Sequence, residues 1–543
     1  MAWQAKLEAR KDRTLKAVLK RRADTLGDKP WIVTAERAYG YREMDTASNR
    51  LARGLASIGI KHGETVLLML PDTIDYVLAW CALAKLGAIE VPVNNHAKGT
   101  VFAHVVNDSL AETMIVDRQY LDRIEFVLPE VTRLKRLVLY TKDAKGGEAG
   151  LPPSLASRFE AVRFETLFDA DGAALPGPGP RYNDVMGVMY TSGTTGPSKG
   201  SMNCHAHAYE YAVTAVELLE LEAGDVYYAP LPLFHIAGQW AVVYACMIAN
   251  CTAVISGTFS LTEFWNDVRK YKATVSFLLG AMANFLYRQA PKPDDANNTM
   301  DRMIVVPLLP EVEDFKARFG VRVSTTYGGT EQNCPMRSSF ELANNRTCGW
   351  LLKDRYEVRI VDENDEEVPP GVPGEMCVRT KNPWDMTLGY WNHPEWTVKA
   401  WRNLWYHTGD MLMRDEAGNY YFVDRTKDAI RRRGENISSM EVEQEIVKHP
   451  AVLECAVIPA ASEHTEQEVM AVIVPREGMA VDPAELIRFL EPRMAYFMVP
   501  RYVETASSLP KTPTGKVQKF PLRERGITAA TWDREKAGIK LKR

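Results

Sequence analysis

The sequence predicts an α/β protein. It has a large N-terminal domain of parallel α/β subdomains with a small β-barrel-like subdomain, followed by a small α+β C-terminal domain. Three observations carry this. Thr65 to Leu70 (TVLLML), a helical stretch from Thr73 to Leu86, and Ala88 to Val93 form a βαβ unit, which calls for a parallel sheet covered by helices. From Tyr356 to Arg379 the pattern becomes strand-rich with tight turns (EVRIVDENDEEVPPG, GEMCVRT), as a small β subdomain or barrel would. After Asp424 helix and strand signals alternate over about 115 residues, one ordinary small domain.

In the opening βαβ unit, Pro71-Asp72 opens the helix and Gly87 ends it. A Gly/Pro/Ala-rich stretch from Gly146 to Pro180, broken by a helix over Leu155 to Val162, reads as a surface excursion. Alternation then resumes. Val185 to Met189 is a strand, His205 to Leu219 a helix, Val226 to Ala229 a strand, Ile236 to Met247 a helix and Thr252 to Ile255 a strand. In the last domain, Ser438-Ser439 ahead of Glu441 and Glu443 signal a helix start, and that helix ends near His449-Pro450. Strands at Val452–Ile458 and Val469–Val474 and a helix from Pro483 to about Met494 follow. The basic tail from Ala529 to Arg543 is expected to be a surface helix or a frayed end.

Composition sets limits on function. At 543 residues the chain exceeds one hydrophobic core, so two or three domains are expected. A net charge of −4 argues against a nucleic-acid partner. The eight cysteines show no CxxC pair, which leaves reduced, buried thiols as the plain reading. The N-terminal stretch lacks the apolar core of a signal peptide, and no apolar run reaches the roughly 18 residues of a membrane span. A cytoplasmic protein without an integral membrane segment, monomer or homodimer, is the expectation.

The most informative segment is Tyr190-Thr191-Ser192-Gly193-Thr194-Thr195-Gly196-Pro197-Ser198-Lys199-Gly200, which follows a strand. Glycines let backbone N–H groups turn toward an anion, and hydroxyls and an ammonium complete a polyphosphate cradle. It is not the common P-loop, because the residues five after Gly193 and Gly196 are Ser198 and Ser201. Alone it would equally suit a flexible surface loop. Further along come Tyr327-Gly328-Gly329-Thr330-Glu331, Tyr406-His407-Thr408-Gly409-Asp410, Asp424-Arg425-Thr426-Lys427-Asp428, Arg433-Gly434-Glu435-Asn436-Ile437 and Pro510-Lys511-Thr512-Pro513-Thr514-Gly515-Lys516.

Together these segments resemble the adenylate-forming superfamily of acyl-CoA synthetases, peptide-synthetase adenylation domains and luciferases, in order and spacing, over nearly the whole chain. The resemblance implies an AMP-forming acyl-CoA ligase using ATP, Mg²⁺ and coenzyme A on a small carboxylic acid. Thr191, Ser192, Gly193, Thr194, Thr195 and Lys199 would hold phosphate. Thr330 would touch the α-phosphate and Glu331 would bind the metal, a role suited to a hard carboxylate oxygen. Tyr327 would lie against adenine, Gly328 would belong to the nucleotide-binding set, Asp410 would accept the ribose hydroxyls, and Arg425 would contact ribose and phosphate. Phe422 would line the nucleotide pocket or simply be core. Lys516 would bridge the substrate carboxylate and the α-phosphate, whereas Lys511 and Lys519 are expected to be solvated. The same resemblance divides the chain into an N-terminal domain (residues 1–424), a hinge (425–428) centred on Lys427, and a mobile C-terminal domain (429–543). Gly434 would face a pantetheine tunnel. A stand-alone adenylation enzyme that loads a carrier protein, or a catalytically dead binding module, are the alternatives.

Leu233-Phe234-His235-Ile236-Ala237-Gly238 resembles the motif that gates the acid site. Amino-acid-activating members usually carry Asp where this chain has His235, so an α-amino acid is not expected. The walls would be His235, Ile236, Gln239, Trp240, Gly280, Val305 and Thr326; Gln239 or Trp240 could meet a polar or cationic tail or be core. Where many members have Gly-Gly-Ala-Pro, this chain has Met303-Ile304-Val305-Val306-Pro307-Leu308. That departure, with Phe422-Val423-Asp424-Arg425, resembles the crotonobetaine/carnitine-CoA ligase branch. Bulk there argues for a small to medium acid.

Overall fold

The computed structural model describes residues 7–141, 150–191, 198–425, 428, 430–432, 435–437, 439–462, 467–494, 496–511 and 515–541. Two seven-stranded sheets form the larger part. In one, the strands run Glu160–Arg163, Arg136–Tyr140, Thr113–Asp117, Thr65–Met69, Ile89–Pro92, Val185–Thr191 and Lys199–Cys204 from edge to edge. All neighbours are parallel except the last pair, whose two strands flank the expected phosphate loop in sequence. The other runs Arg322–Ser324, Arg302–Val306, Val275–Leu279, Val226–Tyr228, Thr252–Val254, Pro30–Val33 and Ala38–Gly40, again parallel but for its last pair.

The predicted βαβ unit forms as expected. Its helix, Ile74–Leu86, is buried nearly all round, as its largely apolar sequence requires. Gly87 ends it in the left-handed region (φ 77°), where a Cβ would also collide with the His62 ring. The helix His205–Leu218 is likewise enclosed by protein. Ile236–Ala249 forms one helical run whose middle, Gln239–Tyr244, is wound as a π-helix.

The strand-rich region is a third seven-stranded sheet, antiparallel and open, rather than a closed barrel. It begins at Thr326–Gly329 and ends at Asn419–Arg425 in sequence, so it carries Tyr327, Asp410, Phe422 and Arg425 together. Beyond it, four strands (Val452–Ala461, Gln467–Pro475, Tyr502–Thr505, Trp532–Asp533) and the helices Ser439–Ile446 and Pro483–Leu490 enclose a separate apolar cluster.

Three local expectations are corrected. Leu155 to Val162 is not a helix. A single turn, Pro153–Ala156, precedes an edge strand, Glu160–Arg163, which pairs with Arg136–Tyr140. The basic tail is no helix either, since Trp532–Asp533 adds a strand beside Tyr502–Thr505 and Asp533 pairs with Arg501. Long-range pairing overrides weak local signals in both places. The helix from Pro483 stops at Leu490, short of Met494. All eight cysteines are buried and unbridged.

Candidate active site

Register in the third sheet builds the first half of the site. Asp410 stands directly opposite Arg425, and Leu412 opposite Phe422. Arg425 Nε lies 3.5 Å from Asp410 Oδ1, and the Tyr327 hydroxyl donates to Asp410 Oδ2 at 2.7 Å. The Tyr327 and Phe422 rings stack, centroids 6.3 Å apart. Burial raises the Asp410 carboxyl, while Arg425, the Tyr327 hydroxyl and Lys516 oppose that rise. A partner for both carboxylate oxygens is thus preorganised, with lone pairs left over.

Glu331 forms the second corner. Its Oε1 accepts the Tyr390 hydroxyl at 3.2 Å, and its backbone carbonyl accepts the Thr387 N–H at 2.8 Å. Burial raises its carboxyl, while Tyr390 and Lys199 pull it back down. The Lys199 ammonium sits over the rings of Tyr390 (5.0 Å) and Trp396 (5.6 Å), so the aromatic pair aims it toward Glu331. Tyr390 and Tyr406 are also hydroxyl to hydroxyl at 3.2 Å.

The third corner is His235, on the loop that leaves the C-terminal end of the strand Val226–Tyr228. Ligands gather at that end of parallel strands. The imidazole Nδ1 accepts the Ala237 N–H (3.2 Å) and so caps the helical run behind it. Surrounding protein first, and the Lys516 ammonium second, push the imidazole down to about 4, which leaves it neutral at neutral pH. Lys516, from the C-terminal part of the chain, is therefore felt by His235 on one side and by Arg425 and Asp410 on the other. The side chain is exposed overall, yet the protein around its ammonium and Arg425 lower it, while Asp410 raises it. Sequence positions from 199 to 516 thus meet in one cleft.

Several expected residues sit differently. Val305 is not a pocket wall. The strand pleat sends it into the cluster between its sheet and the helices Phe264–Tyr271 and Val312–Phe319, whereas Val306 turns to the other face. The argument from its bulk therefore falls to Val306 alone. Trp240 is fully enclosed against His207 and Tyr211, and Ile236 and Gln239 are buried beside it. Gly280 opens the helix Gly280–Tyr287, and a Cβ there would strike the Pro307 carbonyl. Thr326 donates to the Met336 carbonyl across the sheet. Thr191 ends its strand opposite Lys199, Gly328 lies in the strand Thr326–Gly329, and Thr330 opens the turn that holds Glu331. Lys519 is not freely solvated but half-buried against Glu443 at 2.8 Å, while Lys511 pairs with Glu454. Ser192, Gly193, Thr194, Thr195, Lys427 and Gly434 lie outside the described residues.

Sequence reasoning missed Tyr390, which braces Glu331, and Asp424. The latter is buried and accepts from both the N–H and the hydroxyl of Ser439, so it caps the first helix of the C-terminal part. Its signal was its place beside Arg425. The only cluster of metal-ligand type among the described residues, Glu375, Cys377 and His407, is tied up internally: Arg402 bonds Glu375 at 3.1 Å and His407 Nδ1 lies 3.0 Å from the same oxygen.

Two layered α/β halves, an antiparallel sheet bearing a carboxylate–arginine pair, and a lysine delivered from a small C-terminal unit define a nucleotide-dependent, adenylate-forming enzyme. The chain belongs to the AMP-binding enzyme family, whose main domain it matches over residues 19–391 and whose C-terminal domain over 441–516. It is 31% identical to the crotonobetaine/carnitine–CoA ligase of Citrobacter koseri, over 90% of this chain and 93% of that one. ATP-bound MatB from Rhodopseudomonas palustris superposes with a TM-score of 0.81 at 26% identity, covering 95% of this chain and 99% of that one. The anthranilate CoA ligase AuaEII, solved with anthranoyl-AMP, shares the fold (TM-score 0.82, 23% identity, 94% and 97% coverage). No helix among the described residues is long and apolar enough to cross a membrane.

Proposed function

We propose that this enzyme is an ATP-dependent acid–CoA ligase for a small to medium, non-amino carboxylic acid. The observation that carries the reading is Lys516, whose ammonium interacts with Asp410 and Arg425 on the nucleotide side and with His235 on the acid side. In the first step a carboxylate oxygen attacks the α-phosphorus of ATP, the bond to the β-phosphate oxygen breaks, and pyrophosphate leaves. Lys516 neutralises charge between the two reactants, Asp410, held by the Tyr327 hydroxyl, fixes the ribose, Tyr327 lies against adenine, and Arg425 and Lys199 hold phosphate. In the second step the CoA sulfur attacks the acyl carbonyl, its proton passes to solvent, and AMP departs. No protein nucleophile takes part.

Mg²⁺ is a fitting partner for Glu331, a carboxylate held beside a phosphate-facing lysine and aimed by Tyr390. When bound, it would neutralise phosphate charge. Between the steps the C-terminal domain (429–543) turns on the hinge 425–428, with Lys427 absorbing the change and Gly434 admitting pantetheine. The neutral His235 cannot balance an α-ammonium, which supports a non-amino acid. A cytoplasmic enzyme, monomer or homodimer, suits this chemistry.

The test is a panel of fatty, aromatic, betaine and α-amino acids, assayed for AMP release with CoA and, separately, with a pantetheinylated carrier protein. Release with CoA on a non-amino acid is expected. Release only with carrier would turn the reading to a carrier-loading enzyme, and an α-amino acid as best substrate would overturn the reading of His235.

A further inference from the structure

The strand that carries Asp410 is bulged at that residue. In the ladder between Gly374–Thr380 and Tyr406–Arg414, Cys377 faces His407 and Glu375 faces Met411. Met376 alone therefore lies opposite Thr408, Gly409 and Asp410. Such a bulge re-aims a side chain, and it persists only where the backbone groups it frees find other partners. Gly409 makes the turn in the left-handed region (φ 72°). A Cβ there would meet nothing, so the need for glycine is conformational and not steric.

Two side chains hold the bulge. Thr408 Oγ1 donates to the Met376 carbonyl at 2.8 Å and accepts the Asp410 N–H at 3.2 Å. Glu375 Oε1 accepts the Gly409 N–H at 3.0 Å. The other oxygen of Glu375 lies 3.0 Å from Nδ1 of the buried His407 and 3.1 Å from Nη2 of Arg402. Arg402 is fixed in turn by Asp365 at 2.9 Å. Cys377 Sγ, 3.3 Å from the same imidazole nitrogen, backs the ring. Glu375 thus joins an anchored guanidinium and a buried imidazole to the glycine beside Asp410. A charged acceptor holds an N–H more firmly than a neutral one. The Asp410 carboxylate that this aims must at once meet Arg425 and the Tyr327 hydroxyl, which leaves little room for its backbone to drift.

We propose that Glu375 is a positioning residue for nucleotide selection: by fixing the Gly409 N–H it holds the Asp410 carboxylate in reach of both ribose hydroxyls, and so sets how strongly the enzyme prefers a ribonucleotide to a deoxynucleotide. The inference rests on the reading of Asp410 as the ribose acceptor. A site built to hydrogen-bond hydroxyls rejects an analogue that lacks them only while its acceptor stays in place. Glu375 acts through the backbone and not on the nucleotide itself. The grouping of Glu375, Cys377 and His407 then serves to brace a bulge, not to hold a metal.

The experiment measures Kd for ATP and for 2′,3′-dideoxy-ATP by calorimetry, with Mg²⁺ and without acid or CoA, in the wild type, Glu375→Ala and Glu375→Gln. The wild type is expected to bind ATP more tightly than the dideoxy analogue by about tenfold or more. Glu375→Ala should lower that ratio by about fivefold or more, the loss falling on ATP while the analogue stays within about twofold of wild type. Glu375→Gln keeps an acceptor for the Gly409 N–H, so its ratio should lie between the two. A merely structural role would weaken both nucleotides alike and leave the ratio where it was. Should Glu375→Ala not fold, Thr408→Val removes the other clamp on the same bulge and must show the same fall. A ratio unchanged in the folded variants overturns the proposal and leaves the ribose reading of Asp410 standing. A wild-type ratio near one takes Asp410 off the ribose and the proposal with it. Absence of ATP binding by the wild type brings down the ligase reading and, with it, the proposal.

Discussion

The nucleotide side and the acid side of the cleft are built on opposite electrostatic plans. On the nucleotide side every charge has a counter-charge: Asp410 faces Arg425 and Lys516, and Glu331 faces Lys199. On the acid side Asp72 and Glu90 have hydrogen bonds but no lysine or arginine partner among the described residues, and His235 is neutral. A balanced pair holds its geometry whether or not substrate is present. An unbalanced one leaves a preference to be satisfied by whatever binds. The first arrangement suits a reactant that never changes, the second a reactant that distinguishes one enzyme of the family from another.

The largest expected effect breaks the balanced side. Lys516→Ala should slow adenylation by about 10²–10³, because one preorganised charge at the reacting phosphorus is lost. Acyl-adenylate supplied ready-made should still be converted to thioester by this variant. Equal loss in both half-reactions would mean that Lys516 does not act on the first transition state alone.

Next comes the hinge. Lys427→Pro fixes φ near −65° and removes a backbone donor, so thioester formation should fall by about tenfold or more while pyrophosphate exchange persists. Stopped-flow assay of the two steps reads this directly, and normal CoA turnover would place the hinge elsewhere.

A smaller effect is expected at Tyr390. Tyr390→Phe removes the hydroxyl that helps hold the Glu331 carboxyl down. Its pKa should rise further, so the acid limb of the adenylation pH profile should move to higher pH, with a loss of about threefold to tenfold near neutrality. An unmoved acid limb would separate Glu331 from the titration that limits the rate.

The smallest is a stability effect on the unbalanced side. Glu90 titrates at about 8 in the folded chain against about 4.5 when unfolded. Between those values the folded state holds a proton that the unfolded state has released, so this group makes stability fall as pH rises. Glu90→Gln removes that slope. Its Tm relative to wild type should therefore be more favourable at pH 8 than at pH 5. A difference independent of pH would contradict a carboxyl held neutral by burial.

The nucleotide side was legible in the sequence because its residues come in short, contiguous runs. Tyr327 to Glu331 and Tyr406 to Asp410 each carry a recognisable order of turn and acid, and one antiparallel register then aligns Asp410 with Arg425. The acid side is assembled from residues far apart in the chain. Glu90 lies in an otherwise apolar strand, and Asp72 reads as a helix-opening residue. Nothing local says that Leu233 and Gln239, over a hundred residues later, will bond to them. Val305 failed for a related reason: position beside a motif does not tell which way a strand's pleat points. The open third sheet was read as strand-rich but not as open, since closure depends on which edge strands meet. The extra strand at Trp532–Asp533 was missed because only its partner at Tyr502–Thr505 makes it one.

The central claim is that the two sides of the cleft together make a free acyl-adenylate before any thiol is involved. Isotope exchange tests it most directly: labelled pyrophosphate, ATP and Mg²⁺ with the best acid of the panel, in the absence of CoA. Acid-dependent return of label into ATP is the predicted result, and it should be lost in Lys516→Ala. Exchange that appears only when CoA is added, or that ignores the acid, would contradict the account.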